Sequence, residues 1–276
     1  MTPKRMCLLV LTAMAPLELI GQNAVHEIAG EEVASHRLGD LPVIRIDTSK
    51  LDPEYRHGCI NVHVSVNSDG SVPGVAADST FPLNLLPQAE ASVRAVKYEP
   101  FERNGRAVHV EFDECVWVLS PERNPSRHVP FPTIRDWNSL RIRLERTRCF
   151  GSCPDYSVEI HGDGTVRYFG GTSVAVSGEQ LGTISRKALE QLVTLFRDTD
   201  YYSLDDEYVE HAFDLPTFET SIEIEGKKKK VKDYAGLWVG MPMSVYRLEN
   251  AIDQAAGTKR WIRSDAEPSH GRTIGK

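Results

Sequence analysis

The sequence predicts an α+β protein of two small domains, each an antiparallel sheet with helices packed on one face. Three observations predict it. Segments such as "CINVHVSV" at Cys59–Val66 alternate apolar and polar residues, the period of a strand with one buried face. Between them lie apolar stripes at helical spacing, such as Leu189, Leu192, Val193 and Phe196. A stretch rich in proline, residues 121–138, divides a chain whose 276 residues are enough for two ordinary domains.

The first predicted domain covers residues 58–120. Its opening strand puts Ile60, Val62, Val64 and Val66 on one face, and the "NSDG" at residues 67–70 reads as a hairpin turn. A weaker strand follows over residues 72–77. Pro87 suits a first helical turn, where its missing N–H costs nothing. Leu86, Ala89, Val93 and Val96 keep helical spacing until Pro100. After a turn at Asn104-Gly105, "AVHVEFDECVWVL" alternates again, so the order is ββαβ. The second domain, residues 139–262, begins with the strand "LRIRLERT". A cysteine-bearing loop follows, then a hairpin around His161-Gly162-Asp163-Gly164 and a helix capped by Ser185. A hairpin turning at Gly226 leads to a last helix near Ser244, with Val245, Leu248, Ile252 and Ala255 inward. Residues 25–57 read as an irregular extension with a short extended piece from Val43 to Ile46. Residues 263–276 read as a polar, disordered tail.

An apolar share of 41% allows sizeable cores, and a formal charge of −7 points to no nucleic-acid partner. The one basic run, residues 227–230, falls where a turn and strand start are expected. Lys4 and Arg5 precede an apolar stretch over residues 6–17, and Gly21 and Ala24 offer cleavage points. That run is far short of the roughly 20 residues that span a bilayer. Residues 1–24 are therefore expected to be a removed signal peptide, which leaves no transmembrane span in the mature chain. The expected location is the periplasm or the medium.

In the first domain, "VNSDGSV", the helix bearing "ASVRAVKYEPF", and "NGRAVHVEF" before the last strand resemble the C-terminal domain of the TonB family. The full membrane span and long proline-rich linker of an energy transducer are missing. The resemblance therefore implies reuse of the module for contact with a partner. In the second, "CFGSCPDYSVEIHGDGTVRYFG", "LEQLVTLF" and "ENAIDQAAGTKRW" resemble a family of bacterial exported proteins and lipoproteins that carries a domain of unknown function. That resemblance implies an address outside the cytoplasm and no particular reaction.

Loss of the leader would remove Cys7 and leave Cys59, Cys115, Cys149 and Cys153. An even number in an exported chain reads first as disulfides. In a ββαβ unit the last strand lies antiparallel beside the first. Cys59 and Cys115 then approach on the polar face with Cα atoms about 5.5 Å apart, the separation a disulfide needs. Cys149 and Cys153 would close a short loop. Three residues separate them, Pro154 follows and a strand comes next, which suits a structural staple better than a redox motif or half of a zinc site.

The same antiparallel pairing sets His63 opposite Glu111 and Ser65 opposite His109, with Asp113 on that face. Two imidazoles and two carboxylates there could hold a divalent metal, or form the polar side of a half-exposed sheet. No cofactor and no catalytic residue is assigned, since hydrolase signatures such as G-x-S-x-G and H-E-x-x-H are absent. The expected function is binding of an envelope protein or peptide along the outer strand, at Val72, Val75 and Ala77. The competing class is a metal- or thiol-dependent periplasmic enzyme.

Overall fold

The computed structural model describes residues 26–262 apart from positions 29, 79, 212 and 213. The signal-peptide reading of residues 1–24 and the tail reading of 263–276 lie outside the described residues. The chain divides into two compact units. One combines residues up to Pro42 with Ile60–Val116, the other Val43–Cys59 with the chain from Trp117 onward.

From the N-terminus the first elements are β1 (His26–Glu27), α1 (Gly30–His36), β2 (Arg37–Leu38), β3 (Val43–Arg45), β4 (Cys59–Val66) and β5 (Gly74–Ala77). Then come α2 (Leu86–Arg94), β6 (Lys97–Tyr98), β7 (Glu102–Arg103), β8 (Arg106–Ala107) and β9 (Val110–Leu119). The predicted ββαβ order is that of β4, β5, α2 and β9, in a sheet ordered β1-β9-β4-β5. Ile60, Val62, Val64 and Val66 are buried, as are Ala89 and Val93 of α2 and Val110, Phe112 and Val116 of β9. The sheet is not wholly antiparallel, because β1 adds parallel to β9 at His26–Val110. The second strand is shorter than the predicted 72–77. The preceding turn closes instead, the Asn67 N–H donating to the Ser71 carbonyl at 2.8 Å, and Ser71 is held by Asp69, its N–H donating to Oδ1 at 2.9 Å.

The second unit holds β10 (Arg141–Arg146), β11 (Tyr156–His161), β12 (Thr165–Gly170), β13 (Gly178–Thr183), α3 (Arg186–Asp198) and β14 (Glu207–Val209). It ends with β15 (Phe218–Ile224), β16 (Lys227–Tyr234), α4 (Met243–Ala256) and α5 (Lys259–Ile262). Its seven-stranded sheet runs β13-β12-β11-β10-β15-β16-β14, antiparallel except for β14 on β16. Ser185 caps α3 by accepting the Ala188 N–H at 3.2 Å. The stripe Leu189, Leu192, Val193 and Phe196 is buried with Val245, Leu248 and Ile252 of α4 against Ile142, Leu144, Val158, Ile160 and Ile222 of the sheet. Glu225 and Gly226 both have positive φ, 51° and 75°, as a two-residue hairpin turn requires. At Gly162 a Cβ would fall 1.5 Å from the Trp137 carbonyl oxygen, so only glycine lets these backbones meet.

Two stretches do more than their composition suggests. Val43–Arg45 lies in the expected extended piece and pairs parallel with Trp117–Leu119. Residues 121–138, read as a linker, run bound along the second unit. Arg123 donates its N–H to the Gly240 carbonyl at 2.8 Å, and Val129 donates to Ser203 Oγ at 2.7 Å. Arg135 and Asp136 both donate to Glu225. Phe131, Ile134 and Trp137 pack on the core. Prolines leave such a segment few N–H groups to satisfy, and its aromatic residues supply the burial that holds it.

Candidate functional site

On the solvent face of the first sheet the strands bring together the side chains that the alternation placed there. His63 Nδ1 meets Asp113 Oδ1 at 3.1 Å, and its Nε2 lies 3.5 Å from Glu111 Oε2. His109 Nε2 meets Ser65 Oγ at 3.1 Å and lies 3.7 Å from Glu111 Oε1. The Asp113 hydrogen bond raises the His63 pKa above its ordinary 6.5, against slight desolvation and with the help of the Asp113 and Glu111 charges.

This is a row of two hydrogen bonds joined by the longer contacts of Glu111 with both rings. Both ring nitrogens of His63 face carboxylates, which leaves neither aimed at a shared central point. Among the described residues no group of three or more His, Cys, Asp or Glu is arranged to hold a metal ion. Nor do Ser65, His109 and Glu111 form a nucleophile–base–orienter relay, because serine and glutamate address the same nitrogen of the ring.

All four expected disulfide cysteines are paired, Cys59 with Cys115 and Cys149 with Cys153. The second bond, with Cα atoms 5.5 Å apart, closes the loop between β10 and β11. It presents Phe150, whose side chain is 86% exposed, while the Phe150 N–H donates to the Asp214 carbonyl at 3.2 Å.

The expected docking strand β5 is an edge of its sheet. The Asp78 N–H donates to the Asn61 carbonyl at 2.8 Å, and Val64 pairs with Val75 and Val62 with Ala77. Main-chain groups alternate in direction along a strand, so those of Val75 and Ala77 point out of the sheet. Glu90 of α2 already accepts the Ala77 N–H at 3.3 Å. The Val75 main chain has no hydrogen-bond partner among the described residues. Val72 lies before the strand.

Sequence reasoning missed two features. One is β13, the edge of the larger sheet, where Gly178 and Gly182 dilute the strand signal of "GEQLGT". The other is a set of half-buried and buried charges in the second unit. Arg146 pairs with Asp253 at 2.6 Å, and Asp253 also accepts from Tyr156 and Thr258 at 2.8 Å each. Asp233 and Glu249 are buried. The signal for Arg146 and Asp233 was present, since each continues the apolar face of its strand after Ile142 and Leu144 or after Val231.

Residues 140–256 match the family model of a domain of unknown function, DUF6438. The matched stretch holds the Cys149–Cys153 loop, all seven strands of the larger sheet, and helices α3 and α4. No curated protein matches the chain.

Proposed function

We propose that this is an exported binding protein, working in the periplasm or outside the cell after loss of residues 1–24. Its first unit serves as a TonB C-terminal-like module that captures an extended segment of an envelope protein or peptide by adding it as a strand to β5. The observation that carries this reading is the outward main chain of Val75 at the free edge of the sheet. The export half rests on two disulfides, which persist in oxidising compartments. Among the described residues no helix is long and apolar enough to cross a membrane.

The edge is guarded, because an incoming strand competes with Glu90 for the Ala77 N–H. Val75→Pro removes a donor that points away from β4, so the ladder with β4 stays intact. Glu90→Ala leaves the Ala77 donor open. Panning a library of random peptides against the immobilised protein tests the reading. Enriched peptides should bind Val75→Pro about fivefold more weakly, and Glu90→Ala more tightly, since each main-chain bond is worth about 1 kcal/mol. Enrichment of peptides indifferent to both substitutions, or of none, would overturn the site.

A further inference from the structure

The larger sheet ends at β13 with an edge that lacks the usual guards against pairing. The opposite edge, β14, is only three residues long. β13 has six, with no proline, no lysine and an unbroken register against β12. The Ile184 N–H donates to the Gly164 carbonyl at 2.9 Å, and Gly182 pairs with Val166 and Gln180 with Tyr168. The main-chain groups of Glu179, Leu181 and Thr183 therefore point out of the sheet, and none has a partner among the described residues. The side chains of these three residues are exposed. Leu181 is 70% exposed, and Phe169, diagonal to it on β12, is 58% exposed. Glu179 is the one charge on the strand, held at 2.6 Å by Arg167 of its own sheet.

This edge is complementary to itself. Two copies related by a two-fold axis bring the same strand together antiparallel. An axis at Leu181 sets Leu181 opposite Leu181 of the partner subunit, and Glu179 opposite Thr183 of the partner subunit. All three outward residues then both donate and accept main-chain hydrogen bonds across the junction. An axis at Gln180 or Gly182 leaves one of the three out. An axis at Glu179 or Thr183 leaves two out, the first with carboxylates face to face. In the register centred on Leu181 no like charges meet: the Glu179 carboxylate faces a hydroxyl that can donate to it. The two Leu181 side chains cover each other on the axis, each with its own Phe169 diagonal to it.

We propose that the β13 edge pairs antiparallel with the β13 edge of a second copy of this chain, Leu181 lying on the two-fold axis, so that one sheet continues through both copies. This contact is independent of the β5 reading. Sedimentation equilibrium of the full chain tests it together with hydrogen exchange. The mass should rise from one copy toward two with concentration. The Glu179, Leu181 and Thr183 amides should gain protection over the same range, while Gly182, bonded inward to β12, stays unchanged and reports that β13 is folded. Leu181→Lys sets two cations together on the axis. Thr183→Glu sets a carboxylate opposite Glu179, and the symmetry repeats the clash. Each should weaken association about tenfold. Adding Glu179→Lys to Thr183→Glu should restore it. A parent still monomeric at about 1 mM overturns the proposal. So does a dimer indifferent to these substitutions. Protection of the three amides that does not change with concentration overturns it too, because the edge is then covered within one copy.

Discussion

Asp233 and Glu249 should make the second unit most stable in acid, against the usual behaviour of carboxylates. The two residues are 6% and 3% exposed. Burial is the largest influence on both and disfavours charge. For Asp233 it outweighs the Gly236 N–H, which donates to Oδ1 at 2.6 Å, and the Arg146 charge. The Asp233 pKa is pushed up from 3.8 to about 6, and Glu249 is raised by burial and then by the Asp233 charge. A carboxyl that holds its proton more tightly folded than unfolded gives stability that is complete below 3.8 and lost as the pH rises through about 6. The gap between 3.8 and about 6 corresponds to about 3 kcal/mol. Asp233→Asn keeps an oxygen for the Gly236 N–H and removes the charge. Urea unfolding with disulfides intact should find it more stable than the parent by up to about 3 kcal/mol near pH 7.5, and nearly equal to it near pH 3.5. For a unit of this size that is a Tm rise of about 6–12 °C at the higher pH. A variant less stable than the parent near neutral pH, or a difference that does not change with pH, would refute the reasoning.

Arg37 and Glu114 form a buried pair in the first unit at 2.5 Å, with Tyr98 donating to the same carboxylate at 3.4 Å. Arg37→Met alone should cost about 3–5 kcal/mol in denaturant unfolding by stranding Glu114, and Arg37→Met with Glu114→Leu should recover most of it. His63 should titrate above 6.5 by NMR and fall toward that value in Asp113→Asn. Its contribution to stability is then complete below 6.5 and lost as the pH rises past its folded pKa, and an unmoved midpoint would remove Asp113 as the cause. Replacing Cys149 and Cys153 by alanine should cost about 2 kcal/mol, and replacing Cys59 and Cys115 about 4, since the loop closed is longer; equal losses in non-reducing unfolding would contradict the loop-length account.

Much of the site was legible because strand alternation assigns side chains to faces without knowledge of the neighbouring strand. His63, His109, Glu111 and Asp113 were placed together by that rule, and they do meet. Their role was not legible. Whether carboxylates converge on a point or bond the rings one by one depends on rotamers, which no periodicity encodes. The β5 edge was legible as an edge, but the Glu90 carboxylate covering Ala77 was not, since that contact joins a helix face to a strand thirteen residues away. Glu114 continues the apolar face of β9 after Val110 and Phe112. Its position was readable, but its partner Arg37 lies 77 residues earlier in the chain.

Local chemistry in the sequence by itself determined the α+β class, the core stripes of α2, α3 and α4, the turns at Gly162 and Gly226, and the pairing of cysteines. Each depends on spacing within a few residues or on the face a strand's alternation defines, and for Cys59 and Cys115 also on the ββαβ order that sets their strands side by side. Only the tertiary structure decided that residues 43–59 join the second unit, that the proline-rich stretch is bound along it, and that β13 ends the larger sheet. Those outcomes turn on which distant segment supplies a hydrogen-bond partner or an apolar surface, and that choice is made between parts of the chain that carry no local mark of one another.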